Sequence, residues 1–151
     1  MGVVYFYHMT RSPLEETLPT LLGKSLAAGW TVLLRAQTPD RVTQLDELLW
    51  LRPEDGFLPH GMAGGVSDAD HPVLLTDAVT ASDRSAIVSV DGAPITEDEV
   101  KTAERTMVLF DGRDPESIDH ARDQWRGLTK AGCAAQYWSQ ENGPWEKKAE
   151  S

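Results

Sequence analysis

A chain of 151 residues, 40% hydrophobic and 25% charged, is long enough to bury a core without disulfides or a metal. Its net charge of −10 excludes a basic wrap around naked nucleic acid, because phosphate affinity comes from Lys and Arg clusters that displace counterions. The apolar runs are far too short to span a bilayer, and the single Cys133 can form no internal disulfide. The opening MGVVYFYHMTRS has no basic stretch, long apolar segment or small-residue cleavage site, which argues against a signal peptide. A cytoplasmic protein in a reducing compartment, without a membrane partner, is expected.

Residues 3–7, VVYFY, form a continuous β-branched and aromatic run and predict a buried strand. Ser12, Pro13 and Glu15 then spell a helix start, with Ser as N-cap, Pro in the first turn and Glu completing a capping box. Leu14, Leu18, Leu21, Leu22 and Leu26 make one apolar stripe. Pro19 predicts a kink or a later start, and Gly29 the end. The pattern repeats: residues 31–36 predict a strand, and Thr38–Pro39 a helix turning Val42, Leu45, Leu48 and Leu49 inward. This β-α-β-α opening implies parallel strands joined by right-handed crossovers.

Residues 52–72 are rich in Gly, Pro and His and show no periodicity, the mark of a long functional or mobile loop. Strands are predicted again at 73–76 and 87–90. Thr96 and Glu99 form a capping box ahead of a helix over roughly 97–109. Asp114–Pro115 starts the last helix, Gly132 ends it, and 134–138 reads as the final strand. The predicted class is α/β: one domain over 1–142, about five mostly parallel strands with helices on both faces. A polar C-terminal tail, 143–151, is expected to fray apart from Trp145.

Catalytic and metal-binding signals are missing. Gly23–Lys24–Ser25 resembles the end of a P-loop, but the glycine required five residues earlier is Leu18, and the tripeptide falls inside an amphipathic helix. Gly61, Gly64 and Gly65 lack the strand-to-helix turn of a dinucleotide fingerprint. His8, His60, His71 and His120 are scattered, without metal-ligand spacing, and no G-x-S-x-G elbow occurs. No catalytic residue, metal ligand or cofactor is predicted.

Two constellations could bind a partner. In the last helix Ile118, Ala121, Trp125 and Leu128 share an inward face, and Arg122, Arg126 and Lys130 run along its edge at i, i+4 spacing. Guanidinium groups bordering an apolar pocket suit an acidic peptide with a hydrophobic end. The competing reading is a solvated face, with Asp119 and Asp123 neutralising the row through i, i+3 pairs. The second constellation is Trp50 with the loop Phe57–Leu58–Pro59–His60, either exposed for a partner or packed on itself. His60 alone reads more simply as a hydrogen-bonded structural histidine.

The order of these pieces resembles a known family. FYHMTRSPLEETLPTLLGKSLAAGW resembles the first strand and helix of the chi subunit of the bacterial DNA polymerase III holoenzyme. LDELLWLRPEDGFLPHGMAG is similar to that family's L-D-x-x-L-W…F-x-P-H…A-G signature, and ARDQWRGLTKAGCAAQYW to its last helix and strand. The resemblance implies a Rossmann-like domain without enzymatic activity. It implies an adaptor that grips the acidic C-terminal tail of the single-stranded-DNA-binding protein and is tied through a psi subunit to the clamp loader. On the residues that match, the tail site falls on Arg122 and Trp125, with Arg126 and Lys130 beside them. The psi-facing surface falls on Trp50, Phe57, Leu58, Pro59 and His60. One departure is Ile118, where the family commonly has a basic residue. The runner-up reading is a degenerate nucleotide-binding enzyme of Rossmann type. Tight direct binding to single strands is disfavoured by the charge and by the lack of a long basic groove.

Overall fold

The computed structural model describes residues 2–11, 13–51, 60–63, 71–78, 84–140 and 145–150. Its strands are β1 (Val3–Met9), β2 (Val32–Arg35), β3 (His60–Met62), β4 (Val73–Thr76), β5 (Ala86–Val90), β6 (Arg105–Asp111), β7 (Ala134–Ser139) and β8 (Glu146–Glu150). Its helices are α1 (Leu14–Ala27), α2 (Pro39–Leu51), α3 (Glu97–Thr102) and α4 (Pro115–Lys130). The strands make one eight-stranded sheet in the order β3-β4-β2-β5-β6-β1-β7-β8. Every pairing is parallel except β7 with β8.

Alternation along β1 divides the core in two. Val4 and Phe6 pack with Val108 and Phe110 of β6, Val100 of α3, and Ala121 and Leu128 of α4. Tyr7 and Met9 pack with Leu18 and Leu22 of α1 and with Val42, Leu45 and Leu49 of α2. Helices therefore cover both faces, as expected for a parallel sheet, whose middle strands must be apolar on both sides. Fully buried Phe6, Leu18 and Leu22 mark the tightest packing, and truncating any one to Ala would cost about 2–5 kcal/mol.

The five predicted strands all form, but the sheet has eight, so the expected count of about five is too low. The largest correction is the helix expected over 97–109. It ends at Thr102, and Arg105–Asp111 is instead β6, a central strand between β5 and β1. A continuous run such as TMVLF has no period of its own, so the capping box before it led a helical reading too far. The capping box itself is present, with Thr96 accepting from the Glu99 N–H and the Glu99 carboxylate from the Thr96 N–H.

Two smaller corrections concern the ends of the chain. Helix α1 starts at Leu14, with Pro13 rather than Ser12 at the N-cap and no side-chain cap; Ser12 lies outside the described residues. The helix runs through buried Pro19 without a later start, and Gly29 follows its end at φ +84°, where glycine carries no Cβ penalty. The C-terminal segment, expected to fray, pairs with β7 as β8. Its charged sequence EKKAE suits an exposed sheet edge, because lysines there discourage further strand addition.

Candidate partner-binding surfaces

Helix α4 is built to stay in register. Asp114 caps it, accepting from the Glu116 N–H at 3.2 Å and the Ser117 hydroxyl at 2.8 Å, and Pro115 takes the first turn. Ala121 and Leu128 are buried against β1 and β6, while Ile118 and Trp125 are half-buried at the margin of the same cluster. The Trp125 ring meets Phe6 edge-on at 5.5 Å and lies 6.3 Å from Tyr137. Tyr137 is oriented in turn by His8, whose Nδ1 lies 2.5 Å from the phenol oxygen. His8 Nε2 lies 3.1 Å from the Gly112 carbonyl, which can only accept; in the tautomer with the proton on Nε2, that nitrogen donates to the carbonyl and Nδ1 accepts from the Tyr137 hydroxyl.

Arg122, Arg126 and Lys130 project from the exposed edge of this face. Both predicted i, i+3 pairs form: Arg122 lies 3.9 Å from Asp119, and Arg126 lies 3.1 Å from Asp123. All four side chains are more than 60% exposed, so each pair contributes at most about 1 kcal/mol and yields easily to a better partner. The geometry thus brings the row together beside a half-buried tryptophan, with weak local neutralisation.

The second predicted surface lies at the far edge of the sheet. Trp50 and Leu51, at the end of α2, are 59% and 76% exposed, and Met62 of edge strand β3 is 45% exposed. Phe57, Leu58 and Pro59 lie outside the described residues. His60 is buried: its Nε2 sits 3.2 Å from the Asp46 carboxylate and 3.3 Å from the Asp46 carbonyl, and its ring lies 4.8 Å from that of Trp50. It ties β3 to α2 and orients Trp50. Leu51 and Met62 extend this apolar surface and were not singled out in the sequence, since an isolated apolar residue at a helix end or strand edge carries no signal.

Open α/β sheets generally take ligands at the carboxyl ends of their strands. A cleft of about 500 Å³ opens there, between the ends of β1, β2, β5 and β6 and the start of α4. Asp91, Asp111, Asp114 and Glu116 line it, and its arginines already face carboxylates: Arg41 lies 2.5 Å from Asp91 and Arg113 lies 3.7 Å from Asp111. Such a rim repels a phosphate. Gly23–Lys24–Ser25 lies within α1, as its pattern predicts, and is no phosphate loop.

Fold and surfaces together define a mostly parallel α/β domain that presents a basic helix row on one side and an exposed tryptophan–leucine pair on another. A family model described as DNA polymerase III chi subunit, HolC, matches residues 1–136, and the chain belongs to that family. DNA polymerase III subunit chi of Escherichia coli (strain K12) is 32% identical to it over 53 residues. That match covers 35% of this chain and 36% of the relative, so it spans about a third of the relative's length.

Proposed function

We propose that this protein is a non-catalytic accessory subunit of the bacterial replicase, an adaptor acting in DNA replication. It grips the acidic C-terminal tail of the single-stranded-DNA-binding protein and ties it, through a psi subunit, to the clamp loader. The observation that carries this reading is the family match over residues 1–136. The tail's carboxylates go to Arg122, with Arg126 and Lys130 adding longer-range attraction, and its apolar end lies against Trp125. In support, all three cations are exposed in one row, and the partners of Arg122 and Arg126 are solvent-screened aspartates that a tail carboxylate can displace. Trp50 and the loop Phe57–Leu58–Pro59–His60 take the psi side, which the exposed Trp50, Leu51 and Met62 favour. A Rossmann-like reading of the fold is supported by the parallel strands and the helices on both faces.

The runner-up, a degenerate nucleotide-binding enzyme, gains nothing from the acidic cleft at the strand ends. Titrating a fluorescent acidic peptide with an apolar C-terminal residue, beside a nucleotide panel, separates the two readings. Saturable peptide binding without nucleotide binding is expected, and the reverse result would overturn the adaptor reading.

A further inference from the structure

The face of the sheet opposite α4 holds a second site that the adaptor reading does not use. Along β1, Tyr5 and Tyr7 point to the α1 side, and Tyr7 is in register with Trp138 of β7. Tyr5 and Trp138 stack, with centroids 6.0 Å apart and planes at 25°. Trp145, just before β8, meets Tyr7 edge-on at 5.2 Å. These rings, with Trp30 and the α1 side chains Leu21 and Lys24, enclose a pocket of about 460 Å³. Trp138 and Trp145 lie beyond the residues that the family model matches.

The pocket's charge is unusual for this chain. Arg105, at the start of β6, places its guanidinium carbon 4.3 Å from the centre of the Tyr5 ring and 5.0 Å from that of Trp30. Its buried Nε has no hydrogen-bond partner. Among the described residues neither Arg105 nor Lys24 is paired with a carboxylate, although the chain carries a net charge of −10 and most other cations here are paired. Burial pushes the Tyr7 hydroxyl up to about 12, against the opposing pull of Arg105, so this phenol stays neutral and supplies no counter-charge. Two cations without a carboxylate partner in a pocket lined by aromatic rings call for a ligand with both a planar face and a negative charge.

We propose that this pocket binds a short stretch of single-stranded nucleic acid, one base stacking against the half-buried Trp138 ring while the flanking phosphates meet Arg105 and Lys24. Every base has a π-face and every linkage a phosphate, so this recognition is indifferent to sequence. A duplex keeps its bases inside and cannot make the stack. Contact with only two phosphates makes the binding weak and salt-sensitive, in keeping with an acidic protein. An acidic peptide ending in an aromatic residue shares part of this chemistry. The number of aromatic rings that line the pocket, Tyr5, Tyr7, Trp30, Trp138 and Trp145, favours a planar base over a single peptide side chain.

The test follows the five tryptophan indole N–H resonances of the full-length protein while oligodeoxythymidylate is added. Trp30, Trp138 and Trp145 should shift, while Trp50 and Trp125 stay in place. Affinity should fall about tenfold in Trp138→Leu, through loss of stacking. It should also fall in Lys24→Glu and Arg105→Gln; Lys24 is exposed, so Lys24→Glu leaves the fold intact and keeps the test valid if the tryptophan variant unfolds. The logarithm of the dissociation constant should rise with that of salt with a slope of about 1.4, the value for two single-strand phosphates. Equal affinity for duplex DNA, or unchanged affinity in Lys24→Glu and Arg105→Gln, would overturn the proposal. Thymidine monophosphate binding as tightly as the oligonucleotide would reassign the pocket to a free nucleotide. Shifts of the same three resonances with an acidic phenylalanine-ended peptide, but not with the oligonucleotide, would reassign it to a peptide.

Discussion

Arg35, the last residue of β2, is wholly buried and forks onto Glu99 of α3, Nη1 to Oε1 at 2.9 Å and Nη2 to Oε2 at 2.6 Å. The same guanidinium donates to the Pro94 carbonyl at 3.0 Å and to the Ala78 carbonyl at 3.1 Å. Glu99 also closes the capping box with Thr96. One ion pair therefore fastens the end of β2 to the start of α3 and to the segment that follows β4. A planar fork suits this task, since a lysine could satisfy only part of the set.

Breaking that pair from one side should be costly. Arg35→Met strands the Glu99 carboxylate and leaves two carbonyls without their donor, which should lower unfolding free energy by about 3–5 kcal/mol in urea denaturation. Replacing both partners with apolar residues should cost less than the sum of the single changes, because no charge is then left unpaired. Additive losses would show that the two residues do not act as a pair.

The pair also makes stability depend on acid. Burial pushes the Glu99 carboxyl up, but the hydrogen bonds from Arg35 and Thr96 and the Arg35 charge outweigh it, leaving the group below its usual value of 4.5. A carboxyl with a lowered folded pKa is protonated first in the unfolded chain. Its contribution is therefore complete above about pH 4.5 and lost as pH falls through the folded value. Glu99→Gln should be less stable at neutral pH and should show a shallower decline below that point, read from urea midpoints across the acid range. An unchanged acid limb would assign the decline to other carboxylates.

For the proposed tail site, Arg122→Ala should weaken an acidic tail peptide at least tenfold, since truncating one side of a partly desolvated charge pair costs about 2–5 kcal/mol. Arg126→Ala and Lys130→Ala should each do less, and their effects should shrink as salt rises. The melting temperature should hardly move, because all three side chains are exposed. Fluorescence anisotropy at two salt concentrations measures this directly. Equal affinities in all three variants would leave Asp119 and Asp123 as the only partners of the row.

The other edge of the sheet should behave as a binding surface rather than a core. Trp50→Ala should cost less than about 1 kcal/mol in stability, as an exposed residue does, yet, on the proposed function, reduce capture of a psi or clamp-loader partner in a pull-down. Phe57→Ala should act in the same direction. A cost of about 3–5 kcal/mol for Phe57→Ala, with capture intact, would place that ring in the core instead.

Much of this architecture is local and was legible in order. The capping residues Asp114 and Thr96, the glycines 29 and 132, and the apolar stripes of α1, α2 and α4 each act within a turn or two, so their meaning survives without knowledge of neighbours. The same holds for the row Arg122, Arg126 and Lys130, because a helix places i and i+4 on one edge wherever it packs. The helix read through residues 105–109 failed for the opposite reason. An unbroken apolar run is fixed as strand or helix by what lies on either side of it, and here β5 and β1 claim it on both edges.

Three features came only from the tertiary structure. Arg35 reads in sequence as the polar end of a strand, and its carboxylate partner lies 64 residues away, so nothing local marks it as buried. Residues 146–150 are too polar to predict a strand by themselves, and they become one because β7 offers a free edge. Tyr5, Trp30, Arg105, Trp138 and Trp145 meet because β6 and β7 flank β1 in the sheet, an order that no spacing along the chain encodes. The sequence by itself determined the helices with their amphipathic faces and five of the strands, because caps, periodicity and turns are short-range. Strand order decided which distant residues share a pocket or an ion pair, because pairing across a sheet joins whichever edges can bury their apolar faces together.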